Sequence, residues 1–238
     1  MISLHVNSSL PRAGSELLQA LLGQHPQVYA SATSPLLEYW YGALGNYDMA
    51  ERKSQNEQDM KAAFAGFCRA GAQGYYTALT DKSVVVDKSR GWLEYADLLW
   101  SVYPAAKIVC MTRPVEKIVE SLEKIYRQHP GHPETRGLPK TTEARARAWT
   151  SPGSHPLGLA LERLKDRQAR GPDNRIKYVQ YRDLTHDPVE VMEGVFDFLG
   201  VEKFQINPQQ VCKSVPEDDR HYGIFGRHKI RPQIEARE

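Results

Sequence analysis

Short apolar runs and longer amphipathic stretches alternate along the chain, with polar turns between them. "MISLHVNSS" is a β-compatible start, and after the turn "LPRAGS" the apolar positions Leu17, Leu18, Leu21 and Leu22 recur at helical spacing. "DKSVVVDKSR" carries Val84, Val85 and Val86, a β-branched run that predicts a strand covered on both faces. "GWLEYADLLWSVYP" predicts a helix stopped by Pro104, and "AKIVCMTRP" a strand ending at Arg113 and Pro114. "VEKIVESLEKIYRQ" follows as a helix with Ile118, Leu122 and Ile125 on one face. "NRIKYVQYRDL" predicts another strand, and "DPVEVMEGVFDFLG" a helix entered through Asp187 and Pro188 and closed by Gly200.

Strands alternating with helices predict an α/β fold of three layers, a mostly parallel central sheet with helices on both faces. A length of 238 residues suits a single domain, 1–238. Within it, 128–154 is rich in Pro, Gly, Thr and charge and predicts a mobile excursion, while 220–238 forms a locally basic C-terminal segment. In sheets of this kind ligands gather at the carboxyl ends of the strands, where "LPRAGS", "DKSR" and "MTRP" all fall.

Composition narrows the function classes. The 31 basic residues are balanced by 29 acidic ones, so no global field favours nucleic acid or a membrane surface, and any anion site is local. Cys68, Cys110 and Cys212 are odd in number and far apart, unlike a disulfide framework or a metal cluster, and fit a reducing compartment. With no apolar run of about 18 residues and no leader pattern, the expectation is a soluble, cytoplasmic protein without a membrane span.

At the first strand exit, helix-start amides and the macrodipole favour an anion, and Gly14 permits close backbone approach. Arg12 adds a guanidinium fork and Ser15 a hydroxyl. The same residues also suit an ordinary capped helix, with Ser9 or Ser15 as cap, Arg12 as a surface charge and Glu16 favoured by the dipole.

Taken with the other exits, "PRAGSE" resembles the 5′-phosphosulfate loop of sulfotransferases that use 3′-phosphoadenosine 5′-phosphosulfate. "LLQALLGQHPQV" is similar to the Leu-rich helix and His-Pro-x-Val stretch that come after this loop in the tyrosylprotein and bacterial branches. "RPVEKIVES" resembles the family's 3′-phosphate motif, an Arg closing a strand and a Ser eight residues on. Two helical turns return Ser121 to roughly the phase of residue 114, about 10 Å along the axis. "DKSR" is similar to the segment that places a lysine near the transferred group, and "YVQYRDLTHDPVEVMEGVFDFLGV" to the family's late stretch. The resemblance implies a P-loop-like sulfotransferase fold and in-line transfer of a sulfuryl group from that donor to a hydroxyl or amine, without a metal. It implies donor contacts from Arg12, Ala13, Gly14, Ser15, Glu16 and Leu17 on the 5′ side and from Arg113 and Ser121 on the 3′ side. Tyr181, Arg227 and Lys229 are further candidates, and Arg12 and Lys88 would stabilise the leaving group. The acceptor is expected to be a small molecule, peptide or saccharide; Tyr39, Trp40, Tyr41, Tyr47, Tyr75 and Tyr76 are candidates to line its pocket or to pack the core.

Two departures stand out. The position where the tyrosylprotein branch carries a glutamate base falls near Thr33, leaving Glu38 as the nearest carboxylate downstream, with Glu16, Asp87 and the histidines as alternatives. Glu16 stands where the family has a hydroxyl, so it must turn away, pair with a cation such as Lys88 or Arg12, or be protonated. A nucleotide kinase or hydrolase on the same sheet would need a Gly-Lys-Ser/Thr loop ending, which "PRAGSE" lacks. A non-catalytic nucleotide- or partner-binding protein of the same fold is the other alternative.

Overall fold

In the computed structural model, which describes residues 1–47, 49–129, 136–222 and 228–236, five strands form one sheet. They are Ser3–Asn7 (β1), Val28–Thr33 (β2), Val84–Lys88 (β3), Ile108–Thr112 (β4) and Ile176–Gln180 (β5). Every pairing is parallel, in the order β2-β3-β1-β4-β5. Successive residues of a strand point to opposite faces, and Ile108, Val109, Cys110 and Met111 are all fully buried, so both faces of the sheet are covered. The short apolar runs of the sequence therefore became central strands.

The covering helices in chain order are Ser15–Leu22 (α1), Leu36–Gly45 (α2), Ala50–Lys53 (α3), Glu57–Thr77 (α4), Ala96–Val102 (α5) and Val115–Gln128 (α6). Thr142–Thr150 (α7), Gly158–Ala169 (α8), Tyr181–His186 (α9) and Pro188–Leu199 (α10) complete the set. Among the described residues, no helix is long and apolar enough to cross a membrane. The helix expected from residue 91 begins only at Ala96. Residues 91–95 are spent on turns because Trp92 Nε1 donates to Asp87 at 2.6 Å and the Leu93 amide to Ser8 Oγ at 3.0 Å.

The stretch 128–154, expected as an excursion, holds α7 among its described residues. The residues that looked loop-like serve as a cap and as ion-pair partners. Thr141 accepts from the Ala144 amide at 3.2 Å, and Arg145 grips Glu123 of α6 through two hydrogen bonds, 2.8 and 2.6 Å. Trp149 is buried beside them. Hydrogen bonding from Arg145, aided by Arg127, holds the Glu123 carboxyl down at about 2 against an ordinary 4.5. A lowered carboxylate contributes stability that is complete above its unfolded value and lost as pH falls through its folded one. The wild-type unfolding midpoint is thus expected to fall more steeply than that of Glu123→Gln between pH 4.5 and 2. Thermal unfolding followed by circular dichroism checks this, and parallel profiles would contradict it.

Beyond α10 the chain returns across α1. Gln24 Nε2 donates to the carbonyls of Asn207 and Gln210, both at 3.2 Å, and the Val211 amide donates to Pro232 at 2.8 Å. This return brings residues 211–219 and His228 to the carboxyl edge of the sheet.

Candidate active site

The register places the ends of the central strands side by side, with Lys88 opposite Asn7 of β1 and Thr33 of β2. The loop that leaves β1 is braced from below. Asn7 Nδ2 donates to the Gln19 side chain and, at 3.4 Å, to the Ser15 carbonyl; Ser9 donates to Asn7 and accepts from the Met111 amide. Arg12 adopts φ 59°, a left-handed conformation that costs a non-glycine residue about 1–3 kcal/mol and persists where surrounding contacts enforce it. Gly14 follows at φ 96°, and a Cβ there would lie 2.5 Å from the Tyr181 ring, so glycine is required on both counts. Gly14 is also the N-cap of α1, with no side-chain cap. The ordinary capped helix, with Ser9 or Ser15 as cap, is therefore not what forms: the helix start is left to its own amides and dipole.

Lys88 and Glu16 form an ion pair, and Lys213 Nζ lies 2.6 Å from the other Glu16 oxygen. Glu217 closes the group. Its Oε2 accepts from Lys88 and from Lys213, each at 3.1 Å, and its Oε1 accepts from the Thr33 amide at 3.1 Å. Two carboxylates and two ammoniums thus alternate at the mouth of the loop, which answers how Glu16 can stand there: it is paired. Burial by itself would push the Glu217 carboxyl up, but Lys88, His228, the Thr33 amide and Lys213 together hold it well below the usual carboxylate range. Glu16, Glu217 and His228 also bring potential ligand atoms within 4.8 Å of one another. Lys88 and Lys213 already lie against both carboxylates, so a divalent cation would have to displace two ammoniums.

At the exit of β4, Arg113 Nη1 donates to the Arg12 carbonyl at 3.3 Å, and Arg12 Nε donates to Ser121 Oγ at 3.2 Å. The first loop and the Arg113…Ser121 pair, about a hundred residues apart in the chain, are thus one constellation. The Arg113 guanidinium stacks on the Tyr181 ring, 4.4 Å from its centroid, so Tyr181 touches both halves. Arg113 Nε is buried and has no hydrogen-bond partner among the described residues. Such a donor is costly unless something accepts from it.

Asp87, one residue before Lys88, is wholly buried and accepts from Ser34, Tyr76 and Trp92. Burial raises its pKa against the pull of those donors. With its oxygens so occupied it anchors the end of β3. Beyond Ser89 opens a cavity of about 300 Å³, lined by Thr33, Leu37, Glu38, Tyr41, Arg90, Tyr95, His155 and Leu159 among others. Glu38 is therefore on the cavity side, and no hydrogen bond or ion pair joins it to Lys88 among the described residues. Of the aromatic candidates, Tyr41 lines the cavity opposite Tyr95, whereas Trp40 and Tyr76 are core. Of the tail candidates, Lys229 is exposed and Arg227 lies outside the described residues. The tail residues that do reach the loop, Lys213 and Glu217, were not singled out from the sequence. No motif marks them, and only the return of the chain across α1 brings them there.

A model of the sulfotransferase family matches residues 8–205, which span every element of this constellation except Lys213, Glu217 and His228. The chain belongs to the sulfotransferase family. Solved sulfotransferases share its fold. The sulfotransferase domain from the curacin biosynthetic pathway is 16% identical over 84% of this chain and 74% of its own, with a TM-score of 0.55. The enzyme from Alicyclobacillus acidocaldarius is 18% identical over 96% of this chain and 93% of its own, with a TM-score of 0.53. The sulfotransferase domain of the Synechococcus PCC 7002 olefin synthase is 18% identical over 84% and 74%, with a TM-score of 0.52. No curated protein matches significantly. The five-stranded parallel sheet with flanking helices is thus the sulfotransferase fold.

Proposed function

We propose that this sulfotransferase-family chain transfers a sulfuryl group from 3′-phosphoadenosine 5′-phosphosulfate to a hydroxyl of a small, largely apolar acceptor. The observation that carries the reading is the junction of the two motifs: Arg113 holds the Arg12 carbonyl while Arg12 reaches Ser121, and a buried Arg113 donor has no acceptor among the described residues, beside a helix start with no side-chain cap. A nucleotide carrying phosphates at both its 3′ and 5′ positions supplies acceptors for both halves. On this reading the amides of Ala13 to Leu17 and the Ser15 hydroxyl hold the 5′ phosphosulfate, and Arg113 and Ser121 hold the 3′ phosphate.

Sulfuryl transfer, like phosphoryl transfer, passes through a loose in-line transition state in which negative charge grows on the leaving oxygen. Arg12 and Lys88 would neutralise that charge, so the catalytic gain comes from positioned cations and needs no metal. The acceptor side is the cavity beyond Ser89, whose Leu37, Tyr41, Tyr95 and Leu159 walls suit an apolar or aromatic body. Transfer of labelled sulfate from the donor to a panel of phenols and alcohols, with a chelator present, tests the reading. Labelled ester should form, and formation of none with any acceptor would overturn it.

A further inference from the structure

A hydroxyl acceptor must lose its proton as the new ester bond forms. At the exit of β2 the tyrosylprotein-like branch would offer a carboxylate, and this chain offers Thr33. A carboxylate of the C-terminal segment comes to Thr33 instead. The Thr33 amide donates to Glu217 Oε1, and the other Glu217 oxygen lies 3.1 Å from Lys88 Nζ. Thr33 lines the acceptor cavity, whereas Lys88 faces the phosphosulfate loop through Glu16. Glu217 does not itself line the cavity, but it joins a residue of the cavity wall, Thr33, to the lysine on the loop side.

The other carboxylates are placed less well. Glu16 rides on the first turn of α1, on the loop side of Lys88, and its partners Lys88 and Lys213 do not line the cavity, whereas Glu217 also reaches Thr33, which does. Asp87 is sealed in the core by three donors. Glu38 lines the cavity but has no hydrogen bond or ion pair to the lysine among the described residues. We propose that Glu217, delivered by the C-terminal segment, is the general base that takes the acceptor proton; this rests on the sulfuryl-transfer reading above.

In the step, the acceptor oxygen forms its bond to sulfur while the bond from sulfur to the 5′-phosphate oxygen breaks. The electron pair of that bond goes to the phosphate beside Arg12 and Lys88. The acceptor proton passes to a Glu217 oxygen and from there to water. At rest the surrounding cations keep Glu217 ionised. A donor with several negative charges competes for Lys88, which weakens that hold and makes the carboxylate a better proton acceptor.

Steady-state transfer by wild type and Glu217→Gln to a weakly acidic alcohol and to the more acidic 4-nitrophenol, combined with calorimetry of adenosine 3′,5′-bisphosphate binding, tests this. Expected for Glu217→Gln are a fall of about 10²-fold in kcat with the alcohol, a smaller loss with 4-nitrophenol, and bisphosphate affinity unchanged or tighter. Glu217→Asp, which keeps a carboxylate, should recover part of the rate. Retention of kcat within about threefold, or a rise in it, would show a carboxylate that merely occupies the lysine site and would overturn the proposal. So would equal losses across both acceptors together with weakened bisphosphate binding, the mark of a structural role. Full activity in Glu217→Gln with loss in Glu38→Gln would move the role to Glu38. A wild type that binds the bisphosphate but transfers to no acceptor would instead reject the catalytic reading itself.

Discussion

Lys88→Met is expected to lower kcat by about 10²–10³-fold while changing bisphosphate affinity by less than about tenfold, because in the proposed sulfuryl transfer its charge matters most when the leaving oxygen becomes negative. Strand β3 fixes that charge. Lys88 is the last residue of a central parallel strand, with a side chain only 7% exposed and a backbone amide hydrogen-bonded to Ser31 Oγ at 2.9 Å. Asp87 anchors the turn below it. A cation fixed in this way needs no reorganisation as charge develops, which is where preorganised electrostatics contributes most. Removing it also leaves Glu16 and Glu217 with Lys213 as their shared ammonium. Any loss of binding from that imbalance should be relieved in Glu16→Gln/Lys88→Met, whereas the loss in kcat should remain. Single-turnover transfer with saturating donor checks the claim, and a variant with near wild-type kcat would contradict it.

Arg113→Ala is expected to weaken binding of adenosine 3′,5′-bisphosphate by roughly 10²-fold, the effect of losing a charged hydrogen-bond donor worth about 1.5–3 kcal/mol in a partly desolvated site. Its guanidinium is held over the Tyr181 ring and tied to the Arg12 carbonyl, so its remaining donors are restrained before any ligand arrives. Arg113→Lys keeps the charge but loses the fork and the stacking, and should recover only part of the affinity. Ser121→Ala should cost less, since its hydroxyl is neutral and already accepts from Arg12 Nε. Lys61→Ala, at the start of α4 in an exposed pair with Glu57, serves as the control and should bind as wild type does. Calorimetry across these variants gives the ranking directly, and an Arg113→Ala no weaker than the control would remove the 3′ assignment.

The central strands were legible because Val84 to Val86 and Ile108 to Met111 are apolar runs that only a sheet covered on both faces can bury. The strand β2 was not foreseen. Its "ASAT" stretch offers small and polar residues whose place in the sheet comes from pairing with β3, not from their own preference. The late start of α5 was hidden for a similar reason, since long-range bonds from Trp92 and Leu93 override a helical pattern. At the candidate site, strand exits and fixed spacings point to Arg12, Lys88, Arg113 and Ser121, and the structure brings Arg12, Arg113 and Ser121 together; their roles toward a donor belong to the proposal. The outcome for Glu16 was foreseen only as one of three, and pairing is the one that occurs. Lys213 and Glu217 carry no local signal. Their position depends on contacts between Gln24 and the chain near residue 207, which no spacing rule reports.

On the proposed function, the joined loops form one site for a nucleotide bearing phosphates on both its 3′ and 5′ positions. Calorimetric titration of the wild-type protein with adenosine 3′,5′-bisphosphate and with adenosine 5′-monophosphate, both without magnesium, tests it most directly. The bisphosphate is expected to bind at least about 10²-fold more tightly, the difference coming from Arg113 and Ser121. Equal affinity for the two nucleotides, or no binding of the bisphosphate, would contradict it.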